Sequence, residues 1–390
     1  MYQAKHMAGE AKHLAAKKRK RHLFRRAVSI LLLSAAVGYG TFVFCAFAPI
    51  RYWRDIYIET AMTTANHKWL ATFFIPHSII REVMGRQTGT VEGIGGLAEE
   101  NALPHPTLAP AAVSDTAAVT PAPSPAPVPA ATPADILGQA GLTAGQKNEQ
   151  GDLVLVNDIA QGIVIYEIAT PGYVAHLALI DDPARVFVGT TDKKEERGTL
   201  ICDYLSRDNA VLGINANGFA DEEGHGTGGT IAGLTASRGE NWGAYKDSYV
   251  SFGFTENDRL LVGMIPDWEE YRIRDGAQFK PALIMDGEIV TAGSNGWGLQ
   301  PRSCIGQRED GAVLMLVVDG RQPGYSIGAT VGDCAGILQR YGAVNAACCD
   351  GGSSAVMAYN GSLIGVPSTS MKTTGRWLPN AFLVAKKEAA

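Results

Sequence analysis

With 390 residues, 46% of them hydrophobic, the chain has room for one large domain or two ordinary ones plus appendages. Its net charge of −5 hides an asymmetry: Met1 to Arg26 carries nine Lys/Arg against the single acid Glu10, leaving the remainder clearly acidic. That basic head abuts an apolar segment, which argues against the nucleic-acid partner its charge alone would suggest.

Residues 27–50 hold no charged side chain and are rich in Leu, Val, Ala and Phe. A helix crosses a bilayer with about 20 such residues, whereas a cleaved signal core is usually about 7–15 long. The segment therefore reads as an uncleaved transmembrane helix. The Lys/Arg excess before it keeps residues 1–26 in the cytoplasm as a basic tail and places everything after Arg51 outside the cell membrane.

Residues 51–98 follow as a juxtamembrane arm. Between Asp55 and Met84 apolar positions recur among polar ones and Pro76 interrupts them, which predicts two short amphipathic helices with Tyr52, Trp53 and Trp69 as interfacial anchors. Residues 99–135 are mostly Ala, Pro, Thr and Val and end in an alternating proline run at 121–129. That composition builds no core and favours an extended polyproline spacer.

From about 150 to 388 the pattern changes to short β-rich runs at 153–156, 163–168, 174–180, 186–188, 211–214, 249–254, 260–262, 282–285, 313–318 and 355–359. Helical stretches are few, the best being 192–207 and 331–341. The expectation is an α+β domain around a mixed, β-sheet-rich core. Five cysteines follow the apolar segment: Cys202, Cys304, Cys334, Cys348 and Cys349. Some pairing is possible outside the cytoplasm. A cysteine nucleophile needs a basic partner, and this domain offers only His176 and His225. The spacing of a zinc site is missing.

The most informative stretch runs from Pro301 to Gly361. There, two apolar runs end in Asp-Gly steps, at Asp319-Gly320 and Asp350-Gly351. A strand that delivers a carboxylate at its end, followed by glycine that lets the backbone turn, is a common way to present an acid to a ligand. Asp-Gly is also an ordinary hairpin turn, so Asp319-Gly320 alone says little. Asp350-Gly351-Gly352-Ser353-Ser354 adds two hydroxyls and a backbone able to aim N–H groups at an anion.

In order along the chain, Gly213-Ile214-Asn215-Ala216-Asn217-Gly218-Phe219, Arg302-Ser303-Cys304-Ile305-Gly306, Val318-Asp319-Gly320-Arg321, Tyr325 to Thr330, and Asn345 to Ser354 resemble the phosphodiester glycosidase family. The resemblance covers roughly 153–384. It implies an α+β fold and a hydrolase acting on sugar-1-phosphodiesters of the N-acetylglucosamine-1-phosphate type. For an extracytoplasmic bacterial member, it also implies a substrate in an envelope glycan or exopolysaccharide.

That chemistry assigns roles. Glycoside cleavage needs a carboxylate at the sugar carbon or on water, for which Asp350 is the first choice and Asp319 the second. Arg302 and Arg321 suit the phosphate, since guanidinium pairs bidentately with its oxygens. Ser353, Ser354, Gly351 and Gly352 are expected to bind phosphate or a sugar hydroxyl, and Asn215 and Asn217 sugar hydroxyls or an acetamido group. No cofactor is required. Two alternatives stay open: a non-catalytic glycan-binding or assembly protein, and a metal-dependent phosphoesterase with Asp319 and Asp350 as ligands to a divalent cation.

Overall fold

The computed structural model describes residues 2–64, 67–86, 93–96, 142–221 and 226–388. The proline-rich run at 121–129 and His225 lie outside the described residues. The first element is one long helix, α1 (Tyr2–Phe44). Its portion Arg19–Phe44 is long and apolar enough to cross a membrane. The apolar run continues to Ile50, but the helix ends at Phe44 and Pro49 sits in the first turn of α2 (Ala48–Met62). A first turn tolerates proline because its N–H groups have no intrahelical partner.

The arm holds one helix more than its sequence predicted. After α2 come α3 (Trp69–Thr72) and α4 (His77–Met84), with Pro76 as the N-cap of α4. These helices bury Ile58, Ala61, Ala71, Ile75 and Val83 against Val43 near the end of α1, a small core of their own. Asp55 ties the bundle together, accepting from Arg54 Nη2 at 2.6 Å and from Arg86 Nη1 at 2.7 Å.

Three main sheets follow, with α5 (Ile201–Arg207) and α6 (Val331–Arg340) packed on them. The largest has eight strands, in the spatial order Glu288–Ile289, Ala282–Met285, Ala343–Cys348, Arg302–Arg308, Val313–Val318, Val174–Ile180, Ile163–Ala169, Leu153–Asp158. One face carries Ile165, Ile180 and Met315 into a core shared with Phe252 of the six-stranded sheet and Phe382 of the five-stranded one. The other face is covered by α6, through Val331, Cys334, Ala335 and Leu338. Strands buried on both faces read as unbroken apolar runs, and Val313–Val318 is buried throughout.

The α+β, sheet-rich class is as expected. The sheets differ in one respect: every strand pairing among the described residues is antiparallel, so none is mixed. The reason lies in the crossover through α6. It leaves Val313–Val318 and returns on the far side of Arg302–Arg308, so two strands that run the same way never become neighbours. Their carboxyl ends, and the start of Arg302–Arg308 between them, therefore meet at one end of the sheet. This brings Pro301, Asp319 and Asp350 together.

The segment before the spacer is also part of this body: Ile94–Gly95 pairs antiparallel with Leu260–Gly263 at the edge of the six-stranded sheet. All six cysteines are free. Cys304 and Cys348 face each other across adjacent strands with their sulfurs 3.7 Å apart. Both are buried under α6, while Cys349 is buried in the opposite core.

Candidate active site

Asp350 follows strand Ala343–Cys348, and its backbone is fixed from both sides. Its N–H donates to Ala216 O at 2.8 Å, and its carbonyl accepts from Asn215 Nδ2 at 2.6 Å. The chain then turns sharply under Pro301, whose carbonyl accepts the Gly352 N–H at 2.9 Å. Glycine is required twice here. A Cβ on Gly351 would meet that same carbonyl at 2.8 Å, and Gly352 has φ +62° with the Arg321 guanidinium 3.0 Å from where a Cβ would sit.

The Ser354 hydroxyl and the Gly351 amide lie beside the Asp350 carboxylate and favour its charged form. Burial nevertheless dominates, and its pKa is pushed up to about 6, helped by the negative Asp221 and opposed by Arg376. A carboxyl poised there changes protonation near neutral pH, as acid–base catalysis requires.

In front of this turn lies a cavity of about 590 Å³, lined by Asp221, Arg321, Ser353 and Arg376 of the domain, by the loop Pro367–Lys372, and by Thr64 and His67 of the arm. Arg376 Nη1 is 2.7 Å from Asp221 Oδ2, so this cation is paired. Arg321 differs. Its Nε and Nη2 donate to the neutral Gln300 Oε1 at 2.9 and 2.6 Å, and its Nη1 lies 3.3 Å from Ser353 Oγ. No carboxylate comes within 4 Å of it among the described residues. Burial, then the nearby Arg302 charge, push its pKa down, and only Asp350 opposes them. A half-buried guanidinium with no counter-ion, facing a cavity, is suited to an anion.

Of the residues expected from sequence, Asp350, Arg321, Ser353, Ser354, Gly351 and Gly352 gather here. Of the glycine amides expected to cradle phosphate, that of Gly352 is already used on Pro301 O. Asn215 and Asn217 are wholly buried and cannot touch a sugar. Asn215 binds Asp350 O, Ser303 Oγ and the Val356 N–H, while the Asn217 amide nitrogen faces three backbone carbonyls at 3.1–3.2 Å. Both therefore hold the scaffold, not the ligand.

Arg302 and Asp319 also move out of the site. Arg302 is buried and spends its guanidinium on the carbonyls of Ala329, Trp297 and Gly298. Asp319 Oδ2 accepts from Tyr325 Oη and the Val366 N–H, both at 2.8 Å, with His176 Nε2 at 3.5 Å. It braces the start of the loop that rims the cavity.

Residues 208–385 match the family described as phosphodiester glycosidase. Over that stretch, a little under half of its length, the chain is similar to the phosphodiester glycosidases. Among curated proteins, the SPbeta prophage-derived uncharacterized protein YomE of Bacillus subtilis (strain 168) is 28% identical over 200 residues, which are 47% of this chain and 29% of that protein. This chain thus spans under a third of that relative's length. Among solved structures, the zebrafish N-acetylglucosamine-1-phosphodiester alpha-N-acetylglucosaminidase catalytic domain, auto-inhibited by its pro-peptide, is 19% identical with a TM-score of 0.48. That match covers 63% of this chain and 87% of that one. A hypothetical protein from Synechocystis is 16% identical with a TM-score of 0.41, covering 58% of this chain and 62% of that one.

The sequence reading missed Asp221, Arg376, Thr64 and His67 on the cavity wall, and Gln300, which holds Arg321 behind it. Asp221 comes two residues after the Asn215-to-Phe219 motif, a proximity that could have flagged it.

The relocation of Arg302 has a measurable consequence. Arg302→Lys keeps the charge but leaves buried carbonyls without their fork, each worth about 1–3 kcal/mol. Melting should fall by several degrees, since about 1 kcal/mol shifts a domain of this size by 2–4 °C, while kcat/KM of the folded fraction is retained. Unchanged melting with lost activity would return Arg302 to the ligand.

Proposed function

We propose that this protein is a membrane-anchored, extracytoplasmic hydrolase that cleaves a sugar-1-phosphodiester of the N-acetylglucosamine-1-phosphate type in an envelope glycan or exopolysaccharide. The observation that carries the reading is the placement of two groups about one glycine turn behind the cavity: a half-buried Arg321 with no carboxylate partner among the described residues, and Asp350, whose pKa stands near 6. The first suits a phosphate diester anion, the second a carboxylate that works on water or on the anomeric carbon. The family match over residues 208–385 and the order of the motifs support the same chemistry.

In this reaction the bond between C1 and the phosphate oxygen breaks. Water supplies hydroxyl to C1, Asp350 takes up its proton, and the phosphate departs as a monoester. That leaving group is a weak base, so it needs the Arg321 cation more than a strong acid. Asp221, held on Arg376, puts a carboxylate on the cavity wall itself. The apolar part of α1 supplies the anchor, and the basic residues of its N-terminal half orient the domain outward.

Hydrolysis in ¹⁸O-labelled water tests the chemistry. Label is expected at C1 of the released sugar. Label in the phosphate instead means P–O cleavage and hands the site to a phosphoesterase reaction.

A further inference from the structure

Resting on the proposed glycosidase reading, we infer that the site draws its substrate from the bilayer: the diester's non-sugar half is a membrane lipid, and the arm from Ala48 to Met84 is the element that holds the cavity at the lipid surface.

The arm is built into the site, not merely attached beside it. Thr60 Oγ1 accepts the Leu299 N–H at 2.9 Å, and Gln300 Nε2 donates to both Thr60 O and Thr63 Oγ1 at 3.0 Å. Those bonds fix which way the Gln300 amide points, and its other end is the acceptor that holds Arg321. Gly298 has φ +59° and lies so close to the Thr60 backbone that a Cβ there would collide with it. A few residues further on, Thr64 and His67 form part of the cavity wall.

The same arm carries a lipid-facing signature. Trp69 is 56% exposed and Phe73 80% exposed, with Phe74, Trp53 and Tyr52 also open to the surroundings. Singly exposed aromatics are ordinary, but Trp69, Phe73 and Phe74 gathered on and just after the single turn of α3 mark a contact surface. Its continuity with α1 identifies the occupant as the membrane. Tyr39, in the last part of α1, donates to Phe74 O, and Val43 O accepts from Arg54 Nη1 at 3.1 Å. Indole and phenyl rings at the end of a spanning helix settle at the headgroup layer. Trp69 is two residues from His67, with Lys68 between them in helical conformation, so the two lie closer than the roughly 7 Å of extended chain and within the depth of that layer, roughly 6 Å on each side. A phosphodiester in a lipid headgroup thus lies within reach of the cavity, whereas a diester in free solution gains nothing from this placement.

The test uses the full chain in phosphatidylethanolamine–phosphatidylglycerol vesicles and two diesters of the same sugar phosphate. One is esterified to a long-chain polyprenol and inserted in the vesicle, the other to methanol and soluble. The lipid-borne diester should be cleaved with kcat/KM at least about tenfold higher. Trp69→Ser with Phe73→Ser should remove most of that preference, by about tenfold, the factor expected from withdrawing aromatic rings from an interface, while methyl-diester turnover stays unchanged. Phe73→Ser alone, at the most exposed ring, guards against a misfolded double variant. Equal cleavage of both diesters overturns the inference and leaves the proposed activity standing, as does an equal loss on both in the variants. Cleavage of neither overturns the activity as well.

Discussion

Asp350→Asn is expected to lower kcat by about 10²–10⁴ with the fold intact, the usual loss for a group that transfers a proton or stabilises charge in the transition state. The substitution is nearly isosteric. The main-chain bonds that hold position 350, to Ala216 and Asn215, do not involve its carboxyl. The wild-type pH profile should show an acid limb near pH 6: below it Asp350 is protonated and accepts no proton from water, so kcat/KM falls. Stability runs the opposite way. The folded pKa lies above the unfolded value of about 3.9, so the native state binds the proton more tightly. The contribution from this group is therefore fully present below about pH 4 and lost as pH rises through 6. In Asp350→Asn both dependences should vanish: the limb from the residual rate, and that part of the pH slope from the melting curve. A limb that survives in the Asn variant belongs to another group, Asp221 being the nearest carboxylate on the cavity wall.

The strands of this domain were largely legible as sequence, because burial on both faces makes them continuous apolar runs. Val174–Ile180, Ala282–Met285 and Val313–Val318 have the bounds that the apolar residues alone suggest. Arg302–Arg308 and Ala343–Cys348 were seen only as motif, since Arg, Ser, Gln, Asn and Gly interrupt them. They are nonetheless central strands, with polar side chains such as Ser303 and Gln307 satisfied by distant partners. Of 192–207, only Ile201–Arg207 is helical.

The site was legible where chemistry and backbone geometry coincide, as in the Asp350-to-Ser354 turn. It misled where a polar residue in a motif supports the scaffold. Asn215, Asn217, Arg302 and Asp319 are as chemically suited to a ligand as Arg321. What separates them is partner supply: four find buried backbone or side-chain partners, and Arg321 finds only a neutral amide and a hydroxyl. Local sequence does not carry that information, because the partners come from 298–300, 329, 366 and 232–278. The involvement of the arm was hidden for the same reason, Thr60 and Thr63 lying some 240 residues before Gln300.

Arg321 is where the anion-site argument is most exposed to test. Arg321→Ala removes a cavity cation that lacks a carboxylate partner among the described residues, and kcat/KM on a glycosyl phosphodiester should fall by about 10²–10³, as expected for losing a charge-assisted clamp on a transferring phosphate. Arg321→Lys separates charge from geometry. The Lys ammonium restores the charge but not the fork that spans Gln300 and Ser353, so about a tenth or less of the wild-type efficiency should return. The left-handed backbone at this position, φ +58°, is shared by wild type and both variants and biases none of them. An uncharged p-nitrophenyl glycoside of the same sugar provides the control. Its turnover depends on Asp350 and not on a phosphate clamp, so Arg321→Ala should change it by less than a few-fold. Equal losses on diester and glycoside would mean that Arg321 shapes the turn beneath Gly352 instead of binding phosphate. Retention of full diester activity in Arg321→Ala would move the anion site to Lys372 or to Arg376, whose pairing with Asp221 would then have to open on binding.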